Sequence, residues 1–547
     1  MITSTRSKGA TYSEAPLAPS FVVRAPSRAL PPRAKRDPDP SAPNAVRRRP
    51  LLVPEVAFAV ICTGVSLYRF VLLYRHGRPT GADLGNWLDI GHFLLGNGLP
   101  NGGRSIYPPL VPYLAVGFVQ VFGLVLGWAL LATVCCAVPA LATFWVLRRR
   151  GSVWAAVACG TLLLCTSSTA EAAAWGGYPQ LIGLGGGLLL TASFDELIES
   201  PTSRTAWFTG GLLFVVAASS HLILAQIMPV LVIVLAIHLV RAGAGKRLQV
   251  LRALLRHVPR VIGPALALIP FYVWLLGSVG STFVSQSSTS PLGNPAALLD
   301  NLWVIYRDNP VLWKTLLVLS LVVPILSWRS RRTPLWRLST ALIGGVILET
   351  SASSQARFVY LVPLAAAVAL GQLVESIRTF DVRTRIGLHA LGATWLGALA
   401  VAGLMLFPAQ ISYYGSFVRP GTVSGLDWIR THTPANSLML VAPINGEPFG
   451  WWVEGYGRRA SLIASADEWL NVARERTRAL EAVRLLSSPD VLSAPNLSAD
   501  RRAGVTWIVL PTAWGGVTTA QLHGFENEHP HAVVFHNPAL VVVQIPS

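Results

Sequence analysis

The chain has 547 residues, of which 52% are hydrophobic and only 13% are charged. Soluble domains carry about 25% charged residues, so this composition excludes an ordinary cytosolic enzyme, a disordered protein and a coiled coil. The formal net charge of +18 is concentrated in the first 50 residues and in short loops between apolar runs. That distribution is typical of loops held in the cytoplasm, and it argues against nucleic acid as a partner. The apolar runs predict an α-helical polytopic membrane protein.

Residues 1–50 are predicted to be a disordered basic cytoplasmic tail. They contain ten Arg or Lys residues against three acidic ones, together with many Pro and Ser residues. Such a segment buries too little apolar surface to fold alone. The first span is expected at 51–73, and a first outer loop rich in Gly and Asn follows at 75–125.

The apolar stretch 107–147 fits either two spans or one span at 126–147 preceded by an interfacial helix at 108–124. The one-span reading places 17 basic residues in the inner connections and five in the outer ones, whereas the two-span reading inverts this ratio. Positive charge favours the cytoplasmic side, so eleven spans are expected rather than twelve. The remaining spans are predicted at about 152–168, 180–194, 205–221, 222–240, 261–277, 311–328, 335–348, 357–374 and 386–408.

This topology places the N-terminus in the cytoplasm and residues 409–547 outside the plasma membrane. The transmembrane domain is then 51–408, and the C-terminal segment is predicted to be an extracytoplasmic α/β domain. Its ten basic and eleven acidic residues are nearly balanced, unlike the basic inner face. Helices are expected near 425–432 and 466–487, and strands at 437–443, 505–510 and 532–545, the last broken at Asn537-Pro538.

Ionisable and aromatic residues gather at the predicted outer ends of the spans. Because ionisable groups at membrane depth are costly, they are functional candidates by default. Simpler readings stay open: a solvated loop or helix cap for Asp83, a structural role for Asp89, an interhelical turn for His221, and snorkelling for Arg357. The candidates are Asp83, Asp89, Tyr107, Glu171, Trp175, Tyr178, His221, Glu349 and Arg357.

An outer-face carboxylate pair with a His and an Arg suits transfer from a lipid-linked phosphosugar to a hydroxyl. A carboxylate would act as general base, because a hydroxyl is a weak nucleophile unaided. An Arg offers a fork of donors that matches the phosphate oxygens. The sequence contains neither a CxxC nor an HExxH pattern for a protein-bound metal, and its five cysteines all lie in apolar runs.

Four stretches carry a family resemblance. They are the acidic first loop with Asp83, the segment from Tyr107-Pro-Pro-Leu110 to Leu147-Arg-Arg-Arg-Gly151, the acidic Glu171 after the next span, and Gly425-Leu-Asp-Trp-Ile-Arg430. Together they resemble the GT-C superfamily of bacterial polyprenyl-phosphate-sugar-dependent glycosyltransferases, which includes mannosyl- and arabinosyltransferases. Trp175-Gly-Gly-Tyr-Pro and Ser220-His221 are similar to other members of this group.

The resemblance implies that Asp83 is the catalytic base and that Glu171 stands at the second acidic position. No Asp-x-Asp or Asp-x-Glu motif occurs there, which leaves open whether a divalent cation (Mg²⁺ or Mn²⁺) takes part. Trp451-Trp-Val-Glu-Gly-Tyr-Gly457 shares its aromatic pair with the oligosaccharyltransferase motif Trp-Trp-Asp-Tyr-Gly and places Glu454 near the acid.

The expected function is therefore an inverting hexosyl- or pentosyltransferase at the outer membrane face. Asp83 and Glu171 would be catalytic, and substrate would be bound by His221, Arg357, Tyr107, Tyr178, Trp175 and Glu454. The expected partners are a polyprenyl-phosphate sugar, membrane lipid, and an envelope glycan, lipid or protein acceptor. The alternatives are a transporter or lipid flippase, for which the expected repeated halves are not visible, and a non-catalytic scaffold of the same fold.

Overall fold

A computed structural model describes most of the chain that follows the basic tail. Arg357 and half of the predicted span 311–328 lie outside the described residues, as does the whole of the predicted tail 1–50. The described residues are 53–100, 102, 107–276, 318, 321–328, 331–352, 361–377, 382–444, 448–464, 475–488 and 490–546.

The described residues between Val53 and Tyr414 are mostly helical. Five of these helices (α1, α4, α7, α9 and α14) are long and apolar enough to cross a membrane, and the described residues hold up to seven spans if each of two bent pairs counts as one. The structure thus confirms several apolar helices, but it does not confirm the predicted count of eleven spans. The helices are α1 Val53–His76, α2 Asp83–Leu94, α3 Leu110–Phe122, α4 Leu124–Arg150, α5 Val153–Cys165, α6 Ser167–Trp175, α7 Tyr178–Glu199, α8 Ser203–Ser219, α9 His221–Arg241, α10 Gly243–Leu266, α11 Ile269–Leu276, α12 Pro334–Ala352, α13 Leu361–Ile377 and α14 Val382–Tyr414.

The ambiguous stretch 107–147 forms one short helix and one long one. Helix α3 has 13 residues and is therefore roughly 20 Å long, too short to cross a bilayer. The chain turns at Gly123, and α4 then runs for 27 residues to its three terminal arginines. This order of one short helix and one long apolar helix is the one that the one-span reading expected.

Two predicted elements differ from the structure. The predicted span 152–168 is a bent pair, because α5 and α6 meet at an angle of 41° at Thr166. The connection between the predicted spans 222–240 and 261–277 is helical, since α10 begins at Gly243. Its basic residues Arg252, Arg256 and Arg260 recur every four positions, which keeps them on one side of an amphipathic helix.

A buried carboxylate joins four helices at the end of α7 that carries Glu199. Asp195 accepts hydrogen bonds from Nε and Nη2 of Arg337 on α12, at 2.7 and 3.0 Å. Its carboxylate also contacts Arg150 on α4 and lies 2.9 Å from Nε2 of His238 on α9. These contacts connect the four helices far from the first residue of α7, Tyr178.

The C-terminal part of the chain combines five helices with a five-stranded sheet. The strand order is β2-β1-β3-β5-β4; β1 is parallel to β2 and β3, and β5 is antiparallel to β3 and β4. The predicted strands are confirmed, including the turn at Asn537, whose Oδ1 accepts from the amides of Ala539 and Leu540 at 2.8 Å each. The elements are α15 Thr422–His432, β1 Leu438–Val441, α16 Gly450–Gly455, β2 Ala460–Ser461, α17 Arg476–Leu486, α18 Ala494–Arg502, β3 Trp507–Pro511, α19 Thr519–Glu528, β4 Val533–His536 and β5 Leu540–Gln544.

Both faces of this sheet are buried. Side chains alternate along each strand, so Met439 and Val509 share a core with α2 and α3, while Leu440 and Ile508 pack with α17, α18 and α19. Helix α16 lies directly on α2: a Cβ placed on Gly85 would lie 2.8 Å from the amide nitrogen of Trp452. The sheet region is therefore packed onto the helix that begins with Asp83.

Candidate functional site

Asp83 is the first residue of α2, and its side chain is half-buried. The preceding backbone is held at two points: Thr80 Oγ1 donates to the carbonyl of Ala174 at 2.5 Å, and the amide of Gly81 donates to the carbonyl of Tyr414 at 2.9 Å. The N-cap of α2 is Ala82, which makes no side-chain cap. Asp83 therefore does not cap its own helix, although its charge is favourable in a first helical turn.

The end of α6 packs against this first turn. Gly176 adopts a left-handed conformation (φ 105°), and a Cβ placed on it would lie 2.7 Å from the Cβ of Asp83. Trp87, one turn along α2 from Asp83, donates from Nε1 to the carbonyl of Gly176 at 2.7 Å. Only a glycine fits so close to Asp83. The Trp175-Gly-Gly-Tyr178 segment therefore packs against the start of α2, and Tyr178 in it is fully buried.

Glu171 lies on α6, one turn before Trp175, and is half-buried. The hydroxyl of Tyr414, the last residue of α14, donates to Glu171 Oε1 at 3.0 Å. Because the carbonyl of Tyr414 also binds the amide of Gly81, one residue contacts both Glu171 and the backbone that leads into Asp83. Tyr414 therefore links Glu171 to the segment that leads into Asp83.

A group of aromatic rings extends from Asp83 toward α9. The Trp87 and Tyr107 rings have centroids 4.6 Å apart, and the Tyr107 and His221 rings have centroids 5.0 Å apart. The Tyr107 hydroxyl lies 3.2 Å from Ser220 Oγ, which also caps the N-terminus of α9. Tyr107 and His221 are thus linked to the helix of Asp83 through Trp87.

Glu454 lies on α16, which packs against α2 away from Asp83. It is completely buried in α16, where Oε1 accepts from the amide and hydroxyl of Ser461 at 2.8 and 2.7 Å. Burial raises the pKa of Glu454 well above its ordinary value, and the neighbouring Asp89 carboxyl raises it further. Burial also raises the pKa of Asp89, and the charge of Arg458 lowers it in part, so that the pKa is about 7. Six residues separate Asp89 from Asp83, about 9 Å along the helix.

Arg458 lies beside this carboxyl pair, and His92 lies near Arg458. Arg458 has a left-handed backbone (φ 55°), and its guanidinium donates to the carbonyl of Asn97. Burial lowers the pKa of Arg458. Burial, and then the nearby Arg458 charge, lower the pKa of His92 to about 4, so His92 is neutral near pH 7.

The structure thus brings together most of the predicted site. Asp83 packs against the segment from Trp175 to Tyr178 where α2, α6 and α7 join, and Tyr414 links Glu171 to the backbone before Asp83. Tyr107 and His221 lie in the adjacent aromatic group, whereas Glu454 faces Asp89. The sequence analysis missed Trp87, Ser220 and Tyr414. Trp87 follows Asp83 by four residues on α2, a helical spacing that could have indicated it, whereas no local pattern marks Tyr414.

The described part of the chain does not form a protein-bound metal site. Within it, no three or more His, Cys, Asp or Glu residues lie close enough to hold a metal ion. Asp83 and Glu171 alone supply few ligands for a metal ion. Mg²⁺, however, commonly binds one or two carboxylates together with substrate phosphates.

No protein-family model and no curated protein matches the chain. Solved structures do match. ArnT from Cupriavidus metallidurans bound to undecaprenyl phosphate superposes with a TM-score of 0.53 at 14% identity, over 90% of this chain and 98% of that one. The Archaeoglobus fulgidus oligosaccharyltransferase, in complex with zinc and sulfate, gives 0.50 at 14% identity over 82% and 68%. The mycobacterial arabinofuranosyltransferase AftD gives 0.56 at 13% identity over 90% and 42%.

These three proteins are GT-C glycosyltransferases. The chain has a GT-C fold. Together with the apolar helices, this fold identifies a multi-pass membrane protein, and the resemblance inferred from the sequence is confirmed at the level of the fold. In the GT-C fold of this chain, Asp83 lies at the start of the helix that follows the first apolar helix.

Proposed function

We propose that the protein is a glycosyltransferase that moves one sugar from a polyprenyl-phosphate donor to a hydroxyl of an envelope glycan, lipid or protein. The observation that supports this proposal is that Tyr414 binds both Glu171 and the backbone that leads into Asp83, while Gly176 packs against Asp83. The GT-C fold supports it, since ArnT has this fold and was solved bound to undecaprenyl phosphate.

In the proposed reaction, the Asp83 carboxylate accepts the proton of the acceptor hydroxyl as that oxygen attacks the anomeric carbon. The new glycosidic bond forms while the bond from the anomeric carbon to the phosphate oxygen breaks. The polyprenyl phosphate leaves with the bonding electrons, and the proton stays on Asp83. A single in-line displacement inverts the configuration at the anomeric carbon.

The other residues act on binding and orientation in this proposal. Glu171, held by the Tyr414 hydroxyl, orients a sugar through its carboxylate. His221 and Arg357 bind the donor phosphate, and Tyr107, Trp175 and Tyr178 line the sugar site. Glu454 acts indirectly, through its contact with α2. A divalent cation such as Mg²⁺ or Mn²⁺, where used, enters with the donor phosphate rather than from a protein-bound site.

The proposed orientation follows from the charge distribution. The basic tail and the arginines that end α4 face the cytoplasm, so Asp83 and the C-terminal domain, 409–547, face outward. The site then opens where lipid-linked sugars and envelope acceptors meet, and the sheet region lies beside α2, where it helps select the acceptor.

The test is a transfer assay on the full chain in nanodiscs. A panel of radiolabelled polyprenyl-phosphate hexoses and pentoses serves as donor, and envelope extract as acceptor. Label in the extract with wild type supports the proposal and identifies the sugar class. If no donor supports transfer while the protein in liposomes moves a fluorescent polyprenyl phosphate between leaflets, the flippase alternative replaces it.

A further inference from the structure

Arg69 is a buried guanidinium inside the first apolar helix. It lies on α1, seven residues before its end at His76, and its side chain is 0% exposed. Nη2 lies 3.5 Å from both the carbonyl of Thr166 and Oγ1 of Thr169. Among the described residues, no carboxylate lies within ion-pair distance of Arg69, and its Nε and Nη1 have no hydrogen-bond partner.

A buried charge without a counter-ion is costly in a membrane helix, so its contacts are informative. Those contacts gather at the break between α5 and α6. Thr166 is at once the C-cap of α5 and the N-cap of α6, with an extended backbone (φ −64°, ψ 144°). On the other side of Arg69, the ring of Phe407 on α14 lies 5.4 Å from the guanidinium carbon.

The break leaves carbonyl groups of α5 without their helical donors. Oγ1 of Thr166 and Oγ1 of Thr169 both donate to the carbonyl of Leu163, at 3.0 and 3.1 Å. The guanidinium adds a positive charge where the dipole of α5 ends in negative charge. Arg69 therefore stabilises the break itself and not either helix alone.

The bend determines where α6 points. Helix α6 carries Glu171, and its end brings Gly176 against Asp83. A change in the bend therefore moves both carboxylates of the site relative to each other, although Arg69 contacts neither of them.

We propose that Arg69 is a positioning residue that fixes the 41° bend between α5 and α6 and so determines the distance between Asp83 and Glu171. The catalytic part of this inference rests on the proposed glycosyltransferase function. The structural part does not, because the bend can be followed without any substrate.

The experiment compares Arg69→Met, Arg69→Lys and the control Arg337→Met, which removes a buried arginine from the Asp195 cluster. Amide hydrogen exchange of segment 163–176, thermal stability, and kcat and KM for the lipid-linked donor are measured in nanodiscs. Arg69→Met is expected to speed exchange in 163–176 and to lower kcat about tenfold to a hundredfold, because a displacement of about 1 Å costs on that order. The donor KM is expected to stay within about threefold, a difference of less than 1 kcal/mol.

Thermal stability separates positioning from a merely structural role. Replacing a buried charge by an apolar side chain is often neutral or stabilising, so Arg69→Met is expected to keep its Tm while losing kcat. Arg69→Lys, which retains the charge at the break, is expected to recover most of the rate. Arg337→Met is expected to lose Tm without faster exchange in 163–176.

Unchanged exchange in 163–176 would overturn the proposal, as would parallel losses of Tm and kcat in Arg69→Met. Faster exchange with an unchanged kcat would also overturn it, because the bend would then not position the site. If wild type transfers no sugar, the proposed function fails, whereas the exchange measurement still decides whether Arg69 fixes the bend.

Discussion

Gly176 and Asp83 pack so closely that a Cβ on Gly176 would lie 2.7 Å from the Cβ of Asp83. The backbone of Gly176 is also left-handed, with φ 105°. Two separate requirements, space and conformation, thus exclude a side chain at the point where α6 meets α2.

Gly176→Ala is therefore expected to displace α6 from Asp83 and to lower the transfer rate about tenfold or more, because small displacements of catalytic groups are costly. The control is Gly211→Ala on α8, where a new Cβ would meet no atom within 4 Å. Rates measured per folded molecule should fall only for Gly176→Ala. Equal rates for the two variants would show that this contact does not position Asp83.

Tyr414→Phe is expected to lower kcat, because it removes the Tyr414 hydroxyl that donates to Glu171. A hydrogen bond to a charged group contributes roughly 1.5–3 kcal/mol, so a loss of about tenfold or more is expected. The matched control is Tyr413→Phe, since the Tyr413 side chain is 68% exposed. If both variants retain full rate, Glu171 does not depend on this hydrogen bond.

The contact between α2 and α16 is expected to weaken as pH rises. The pKa of Asp89 is raised from 3.8 to about 7, so between those values the folded state holds a proton that the unfolded state has lost. The free energy of unfolding therefore falls as pH rises through this window, and the loss is complete above about pH 7. The pKa of Glu454 is also raised, so the loss of its proton lowers the free energy of unfolding in the same direction.

Asp89→Asn removes one of the two carboxyl groups and should flatten this dependence. Thermal unfolding in nanodiscs at about pH 5 and about pH 8 measures it, with each kcal/mol worth about 2–4 °C in a domain of 150–250 residues. Glu528→Gln at the exposed end of α19 is the control and should keep the wild-type slope. If Asp89→Asn loses as much stability between these pH values as wild type, the buried carboxyl pair is not the source of the pH dependence.

His221→Ala is expected to raise the KM for the donor more than it lowers kcat, because the proposal assigns His221 to the donor phosphate. Loss of one hydrogen bond to a charged group corresponds to about a tenfold or larger rise. The exposed His432 of α15 provides the control. A fall in kcat at unchanged KM would move His221 from phosphate binding to the chemical step.

Much of the fold was predictable because it depends on local patterns. The charge distribution selected a single span after the interfacial helix α3, and the turn at Asn537 separated β4 from β5. The break at Thr166 was not predictable, since Ser and Thr side chains can either continue a helix or satisfy its end. Counting charges also could not distinguish the amphipathic helix α10 from a loop.

The candidate site was predictable in its residues but not in its contacts. Asp83, Glu171, Tyr107 and His221 stood out as polar groups at the ends of apolar runs. Tyr414 reaches Glu171 across 243 positions of the chain, and no local pattern reports such a contact. The contact of Glu454 was not predictable for the same reason. The resemblance of its neighbours to an acidic motif is a local pattern, whereas the pairing of Glu454 with Asp89 depends on how α16 packs onto α2.

The most direct measurement is the rate of sugar transfer by Asp83→Ala and Asp83→Asn, beside wild type and Glu481→Gln, all in nanodiscs with the donor that wild type uses. General bases typically contribute about a hundredfold to ten-thousandfold, so both Asp83 variants should lose at least a hundredfold in kcat while they retain the wild-type Tm. Glu481→Gln should transfer at the wild-type rate. Near-normal transfer by Asp83→Ala would contradict the assignment of the base and the account of the site built around it.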